Sequence, residues 1–303
     1  MSNLLNSCAA ILLAITIQVA TCQSADLTGD ANIHLRETFA NARLRFEHDK
    51  QGHVAFIGGS ITEMNGYRPL VIEVLKRRFP ETKFEFTDAG ISSTCSTTGA
   101  FRLSDHVLSK GPVDLLFIEF AVNDDQDAGH ARRECLRGME GIIRHTRIHN
   151  PNADIVVTYF VNPEMLATWQ AGKVPLAVAA HDEVVEHYHV PTINLAKEVA
   201  DQIAANVLTW EEFGGTHPKP LGNAIAAAMI DRLMELSWSE PIAAEATAKP
   251  HPLPDPLDLK SYTHGRLIPP AAASELKGMA IETPVWKDLK GSSRGRFEKE
   301  ALL

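Results

Sequence analysis

Apolar positions along the chain fall into short runs rich in β-branched and aromatic residues, each followed by a helical periodicity or a polar loop. This alternation is typical of parallel βαβ units. Five strands are predicted, at His53–Ile57, Lys83–Thr87, Val113–Phe120, Asp154–Phe160 and Pro191–Leu195. Helices are predicted at Arg68–Arg78, Gly99–Leu108, His130–His149, Pro175–His187, Ala196–Asn206 and Pro220–Leu236. The pattern therefore predicts an α/β fold, a three-layer α/β/α sandwich around a five-stranded parallel sheet.

The amino-terminal segment differs from the rest, because residues 1–25 carry no charged side chain. Its apolar run, Cys8–Ile17, is too short to span a bilayer but suits a secretory signal peptide. We therefore expect a secreted or periplasmic protein without a membrane span, cleaved near Cys22–Ala25. Lipoprotein anchoring at Cys22 is the alternative, and mass spectrometry of the mature amino terminus distinguishes the two.

The remainder divides near Trp238, where the apolar periodicity fades and prolines become frequent. Residues 26–238 are predicted to form the main domain, and residues 239–303 a proline-rich linker or tail. The sequence leaves open whether this tail straps over the domain or leads towards a second module.

Composition narrows the possible partners and cofactors. A formal net charge of −9 argues against nucleic acid or an anionic membrane as the main partner. Beyond the amino-terminal segment two cysteines remain, Cys95 and Cys135, and an even count permits one disulfide in an oxidising compartment. No metal site is expected, because their neighbours lack Cys/His ligand spacing. His181, His187 and His189 are interpreted as surface residues.

A glycine-rich turn at Phe56–Thr62 supplies the candidate nucleophile, Ser60. Such a strand-to-helix turn lifts a side chain out of the sheet and leaves backbone N–H groups free to bind negative charge. Phosphate cradles and plain tight connections use similar turns. Nucleotide binding is not favoured, because no lysine follows this turn and because it would leave the later motifs unexplained.

Other candidate groups follow later strands. The 90–96 loop follows the second predicted strand, and Asn123 follows the third. Because the carboxyl ends of parallel strands lie at one edge of the sheet, both can meet Ser60 there. The Asn123 amide is a candidate donor to an oxyanion. His217, in a Gly-Thr-His-Pro loop stiffened by proline, is a candidate base.

Four blocks in this order, Gly-Gly-Ser-Ile-Thr, Asp-Ala-Gly-Ile-Ser-Ser-Thr, Glu-Phe-Ala-Val-Asn-Asp and Gly-Thr-His-Pro, resemble the SGNH hydrolase family, also called GDSL esterases. The resemblance covers residues 53–236 and implies the flavodoxin-like fold of that family. It further implies an acyl esterase without metal or cofactor, in which Ser60 attacks the ester and His217 acts as base and then acid. The implied oxyanion donors are the backbone N–H groups of Ser60 and Ser93 and the side-chain amide of Asn123.

The chain also departs from the family pattern. Ser93 and Ala121 stand where the family usually has glycine, and Gly214 stands where it has the aspartate that orients the histidine. Glu211 or Glu212 is a candidate replacement, with Glu212 preferred; a Ser-His dyad without an acid is the alternative.

Further candidates for substrate contact are Gly59, Arg68 and Asp124. For Arg68 and the nearby Glu63, stabilisation of the turn is the simpler interpretation. For Asp124 the simpler interpretation is a helix cap.

The leading functional hypothesis is an exported esterase that removes acetyl or similar small acyl groups from carbohydrate, so its partner is a small-molecule or polysaccharide ester. A lysophospholipase or arylesterase is one alternative. A second, motivated by Gly214 and Ser93, is a degenerate protein that binds glycans without turnover. The sequence sets no oligomeric state.

Overall fold

The computed structural model describes residues 29–36, 39–283 and 285, so the predicted signal peptide and Cys22 lie outside the described residues. The strands are β1 Ile33–His34, β2 Gln51–Gly58, β3 Lys83–Gly90, β4 Leu115–Glu119, β5 Asp154–Thr158 and β6 Thr192–Ile193. The helices are α1 Ala40–Glu47, α2 Ser60–Glu63, α3 Tyr67–Arg78, α4 Ser96–His106, α5 Arg132–His149, α6 Pro163–Gln170, α7 Leu176–His187, α8 Leu195–Ala204, α9 Trp210–Phe213 and α10 Pro220–Ser237. Short 3₁₀ turns occupy Leu108–Lys110 and Pro270–Ala272, and Asn123–Asp127 forms a π-helical turn.

The sheet has the strand order β1-β6-β5-β4-β2-β3, with helices on both faces, which confirms the predicted α/β sandwich. All five predicted strands are present and pair in parallel. The prediction of a five-stranded, purely parallel sheet is corrected by β1, which pairs antiparallel with β6 through Ile33 and Ile193. A strand of two residues is too short to show the period-two alternation by which strands are found in a sequence.

All six predicted helices are present, with boundaries shifted by a few residues. The periodicity missed α1, α2, α6 and α9, which are eight, four, eight and four residues long. One or two turns give too few repeats for an amphipathic pattern. Among the described residues, no helix combines the length and apolar character needed to cross a bilayer.

Strand β2 lies at the point where the strand order reverses, with β3 on one side and β4 on the other. Its last residue, Gly58, pairs with Gly90 at the end of β3 and with Glu119 at the end of β4. Three loops therefore leave the sheet side by side and at one level. In open parallel sheets this switch point is where ligands bind.

Four of the prolines after Trp238, at positions 250, 252, 254 and 256, belong to an extended strap, which we define as residues 249–265. The strap runs along α5, where the backbone N–H groups of Leu257 and Asp258 donate to the buried carboxylate of Glu140 at 2.6 and 3.1 Å. Further on, Tyr262 packs against Phe101 of α4, with ring centroids 5.1 Å apart. This part of the tail thus covers the domain as a strap.

One strap contact reaches a carboxylate in the core. The His251 ring nitrogen Nε2 lies 2.7 Å from Oδ1 of Asp154, whose side chain is fully buried at the start of β5. The Ala42 N–H donates to the other carboxylate oxygen at 2.7 Å. Burial raises the pKa of Asp154, and the bonds from His251 and Ala42 oppose that change.

Replacement of His251 by Ala removes a partner of this buried carboxylate, so we expect the free energy of unfolding to fall by about 2 kcal/mol. Urea denaturation at neutral pH measures the change. The matched control is His264→Ala, which removes an exposed histidine of the same strap. Equal stabilities of the two variants would show that the strap contact contributes nothing.

Candidate active site

The candidate nucleophile lies at the first residue of α2, directly after the last strand residue, Gly58, and one further glycine. Neither glycine can carry a side chain in this geometry. A Cβ on Gly58 would lie 2.2 Å from Oγ1 of Thr62, and one on Gly59 would lie 2.0 Å from Oδ1 of Asn123. The two glycines let the Ser60 turn approach its neighbours closely. Gly59 thereby has a packing role beside the site.

His217 meets the candidate nucleophile across the site, with its Nε2 2.8 Å from the Oγ of Ser60. The loop that carries it is fixed from α10, where the Asn223 side chain donates to the carbonyls of Pro218 and Lys219 at 2.7 and 3.1 Å. Pro220 is the first residue of α10, a position where proline is common because its missing N–H needs no partner there. The imidazole is exposed to solvent.

No carboxylate stands behind this imidazole at position 214. Gly214 has φ of +108°, and a Cβ there would lie 2.1 Å from the backbone nitrogen of Lys219. An aspartate cannot occupy this backbone conformation without moving the His217 loop. The departure from the family pattern is therefore built into the backbone.

The structure also does not place Glu212 where it could orient His217. Glu212 forms a capping box at the start of α9, accepting from the N–H and hydroxyl of Thr209 at 2.8 and 2.7 Å. Among the described residues, neither Glu211 nor Glu212 forms a hydrogen bond with the imidazole. The arrangement that the structure presents is a Ser60–His217 dyad.

Asn123 approaches the same turn from the end of β4. It begins the π-helical turn, its side chain is buried, and its Nδ2 donates to Oδ2 of Asp127 at 2.6 Å. Single π-turns occur frequently at functional sites. An amide has two N–H donors, so one remains beyond the bond to Asp127. Asp127 therefore orients the amide that was predicted to serve the oxyanion.

The third loop carries Ser93, which adopts a left-handed conformation with φ of +59°. Glycine is favoured there, in line with the family's usual residue at this position. The loop is held by Glu63, whose Oε2 accepts from the Ser92 N–H at 2.8 Å and also from the Ser92 hydroxyl. Glu63 thus has the structural role that the simpler interpretation gave it.

Asp124 is fully buried, so the prediction that it contacts substrate is wrong. It accepts from the N–H and hydroxyl of Ser96 at 2.7 and 2.6 Å, and from Nε2 of His181 at 2.8 Å. Burial alone would raise the pKa of Asp124, but the bonds from His130, His181 and Ser96 hold it well below its usual range. Asp124 caps α4 and so ties the Ser93 loop to the Asn123 turn.

The interpretation of His181 as a surface residue is wrong for the same reason, because α7 turns its ring into this cluster and buries it completely. Helical position alone did not show which face of α7 packs inwards.

Arg68 is engaged in structure. Its Nη2 lies 2.9 Å from Oδ2 of Asp88, and its Nε donates to the carbonyl of Thr62 at 3.2 Å. Only 13% of the side chain is exposed. These contacts tie α3 to β3 and to the end of α2, so substrate contact remains a sequence prediction only.

Potential metal-ligand groups do occur around Asp124. Two sets, Cys95 with Asp124 and His130, and Asp124 with Cys135 and His181, each place their donor atoms within 4.8 Å. Both share Asp124, whose oxygens already accept the hydrogen bonds described above. Both cysteines are free thiols, so the permitted disulfide is not formed in this structure.

Sequence reasoning missed three residues that support the site: Glu119, Asp127 and Asn223. Glu119 gave a signal, since it is one of two charged residues in the otherwise apolar run Val113–Phe120. Asp127 and Asn223 lie in polar contexts that gave none.

Comparison with known proteins adds to this geometry. The GDSL-like lipase/acylhydrolase family model matches residues 56–225, which include all four sequence blocks. None of the curated proteins matches the chain.

Solved structures share the fold at low identity. A two-domain esterase active on acetylated mannans is 23% identical, with a TM-score of 0.64 over 78% of this chain and 61% of that one. A GDSL-like lipase from Parabacteroides merdae is 17% identical, with a TM-score of 0.51 over 62% of this chain and 96% of that one. An alpha/beta hydrolase from the metagenome of Lake Arreo, Spain, is 15% identical, with a TM-score of 0.50 over 62% of this chain and 95% of that one. The chain thus spans 61% of the length of the mannan esterase.

The variants Glu211→Gln and Glu212→Gln test the dyad. We expect ester hydrolysis to stay within about twofold of the wild-type rate in both, because neither carboxylate bonds the imidazole. Glutamine at position 212 preserves the capping box, so the helix end is not disturbed. A loss of a hundredfold or more in either variant would restore that carboxylate as the orienting acid.

Proposed function

Because the chain belongs to the GDSL-like lipase/acylhydrolase family, we propose that it is a serine carboxylic-ester hydrolase that removes small acyl groups, chiefly acetyl, from carbohydrate. The observation that carries this proposal is the 2.8 Å hydrogen bond between Ser60 Oγ and His217 Nε2. It pairs a nucleophile with a base in the order and spacing of the family's sequence blocks.

In the first step Ser60 Oγ attacks the ester carbonyl while His217 Nε2 takes the hydroxyl proton. The C–O bond to the alcohol breaks as His217 returns that proton to the leaving oxygen. Water, deprotonated by the same nitrogen, then attacks the acyl-enzyme. The bond to Ser60 Oγ breaks, His217 returns the proton to that oxygen, and the carboxylic acid is released. The protein needs no other proton carrier in this sequence.

Negative charge on the carbonyl oxygen is bound by groups from three loops. The N–H of Ser60 at the start of α2, the N–H of Ser93 and the amide of Asn123 are the proposed donors. The register at Gly58 brings these loops to one level at the sheet edge. Removal of one such donor typically lowers kcat by about 10²-fold or more.

Without an aspartate at position 214, the imidazolium that forms is stabilised chiefly by solvent, to which His217 is exposed. An orienting carboxylate normally fixes the tautomer of the base. Here the loop itself holds the imidazole in place, through Pro218 and the hydrogen bonds from Asn223.

Carbohydrate as the acyl carrier is supported by three observations. The site opens to solvent at Ser93 and His217, which suits an ester held on a polymer. The mannan esterase shares the fold and acts on acetylated mannans. The amino-terminal sequence predicts export, to the compartment where polysaccharides occur.

The first test is hydrolysis of para-nitrophenyl acetate by the wild type, Ser60→Ala and His217→Ala. We expect each substitution to lower kcat by about 10³-fold or more, since nucleophile and base act as a unit. His264→Ala, an exposed histidine of the strap, is the control and should keep the wild-type rate. An inactive wild type, or variants that keep its rate, would favour the glycan-binding alternative.

The acyl preference distinguishes esterases within the family. We expect acetyl esters, including acetylated mannan and xylan oligosaccharides, to be hydrolysed faster than octanoyl esters. A preference for octanoyl esters or lysophospholipids would instead support the lysophospholipase alternative.

A further inference from the structure

A buried carboxylate lies directly below the nucleophile turn, and the mechanism above makes no use of it. Glu119 is the last residue of β4, pairs with Gly58 across the sheet and is fully buried. Its side chain therefore lies beneath the segment that carries Ser60.

The contacts of Glu119 are with that turn. Oε2 accepts from the Thr62 hydroxyl at 3.2 Å, and the N–H of Gly59 also bonds the carboxylate. The other oxygen, Oε1, is buried and has no hydrogen-bond partner among the described residues. The Thr62 hydroxyl in turn contacts the hydroxyl of Tyr67, which α3 presents from above at 3.1 Å.

The charged and titratable groups around Glu119 oppose its ionisation. Asp124 and Asp127, from the π-helical turn, are like charges, and the Tyr67 hydroxyl is neutral. Arg68 acts on Tyr67 but is paired with Asp88. In the described part of the chain, no Lys, Arg or His lies within salt-bridge distance of Glu119.

We propose that Glu119 is a positioning residue for the nucleophile, and that its ionised form holds the Gly59 N–H and the Thr62 hydroxyl in the geometry that Ser60 requires. A carboxylate accepts such bonds about twice as strongly as a neutral acid or amide does. This inference rests on the proposed function, because it concerns the reactivity of Ser60.

Ionisation of this group works against stability. Burial, only partly opposed by the bonds from Thr62 and Gly59, raises the pKa of Glu119 from 4.5 to about 7. The unfolded chain therefore releases this proton at lower pH than the folded chain does. The stability of the fold falls as the pH rises from about 4.5 to 7, the range in which the proposed active form appears.

Two deprotonations then control activity on the acid side, that of His217 as base and that of Glu119. Below both transitions, log kcat/KM should rise with a slope of two per pH unit in the wild type. Glu119→Gln removes one transition, so its slope should be one. At high pH its kcat should be about 10²-fold lower, because the amide, like the protonated acid, holds the turn less firmly.

The experiment compares the wild type, Glu119→Gln and Glu140→Gln. Glu140 is another fully buried carboxylate, but it bonds Tyr188 and the strap, so its variant should keep the slope of two. Thermal unfolding shows that each variant is folded. It should also show the melting temperature of Glu119→Gln rising relative to the wild type between pH 5 and pH 8.

Labelling of Ser60 by an organophosphorus serine-hydrolase probe, followed over the same pH range, separates this inference from the choice of ester. A change of labelling slope from two to one in Glu119→Gln, but not in Glu140→Gln, supports the positioning role. Equal slopes in the wild type and Glu119→Gln overturn it while leaving the esterase intact. Absence of any Ser60 labelling overturns the proposed function, and this inference with it.

Discussion

The close approach of two turns at the switch point of the sheet governs the geometry of the whole site. Gly58 and Gly59, at the end of β2, lie so near Thr62 and Asn123 that a Cβ on either would lie within 2.2 Å of a side-chain oxygen. Because no side chain intervenes, the Ser60 turn lies directly against the Asn123 turn. The His217 loop and the Ser93 loop then close on this pair from α10 and from β3.

Buried carboxylates support this arrangement in two different ways. Asp124 is surrounded by donors from Ser96 and His181, so it is held as an anion and joins the Ser93 loop to the Asn123 turn. Glu119 has only Thr62 and Gly59, and one of its oxygens is unpartnered. The first is a stable structural anion, whereas the second is a carboxylate kept at some cost to stability beneath the residue whose reactivity it sets. Active sites commonly combine both kinds.

The candidate base, His217, is positioned by its backbone and not by an acid. The left-handed backbone at Gly214 excludes the aspartate that the family usually carries there, and the same backbone shape turns the His217 loop towards Ser60. Asn223 satisfies the carbonyls of that loop. A hydrogen-bonded loop thus replaces one function of the missing carboxylate, the placement of the ring, but not its charge.

The sequence by itself determined the fold class, the five parallel strands and the family, because strand and helix periodicities and the four ordered blocks are local properties of the chain. It also indicated Ser60, Asn123 and His217 as the groups to examine, and the structure places Ser60 Oγ and His217 Nε2 2.8 Å apart. Only the tertiary structure decided that Asp124 and His181 are buried partners and that Glu119 lies under the candidate nucleophile. These facts depend on contacts between residues far apart in the chain, and burial and hydrogen bonding across such distances leave no periodic signal in the sequence.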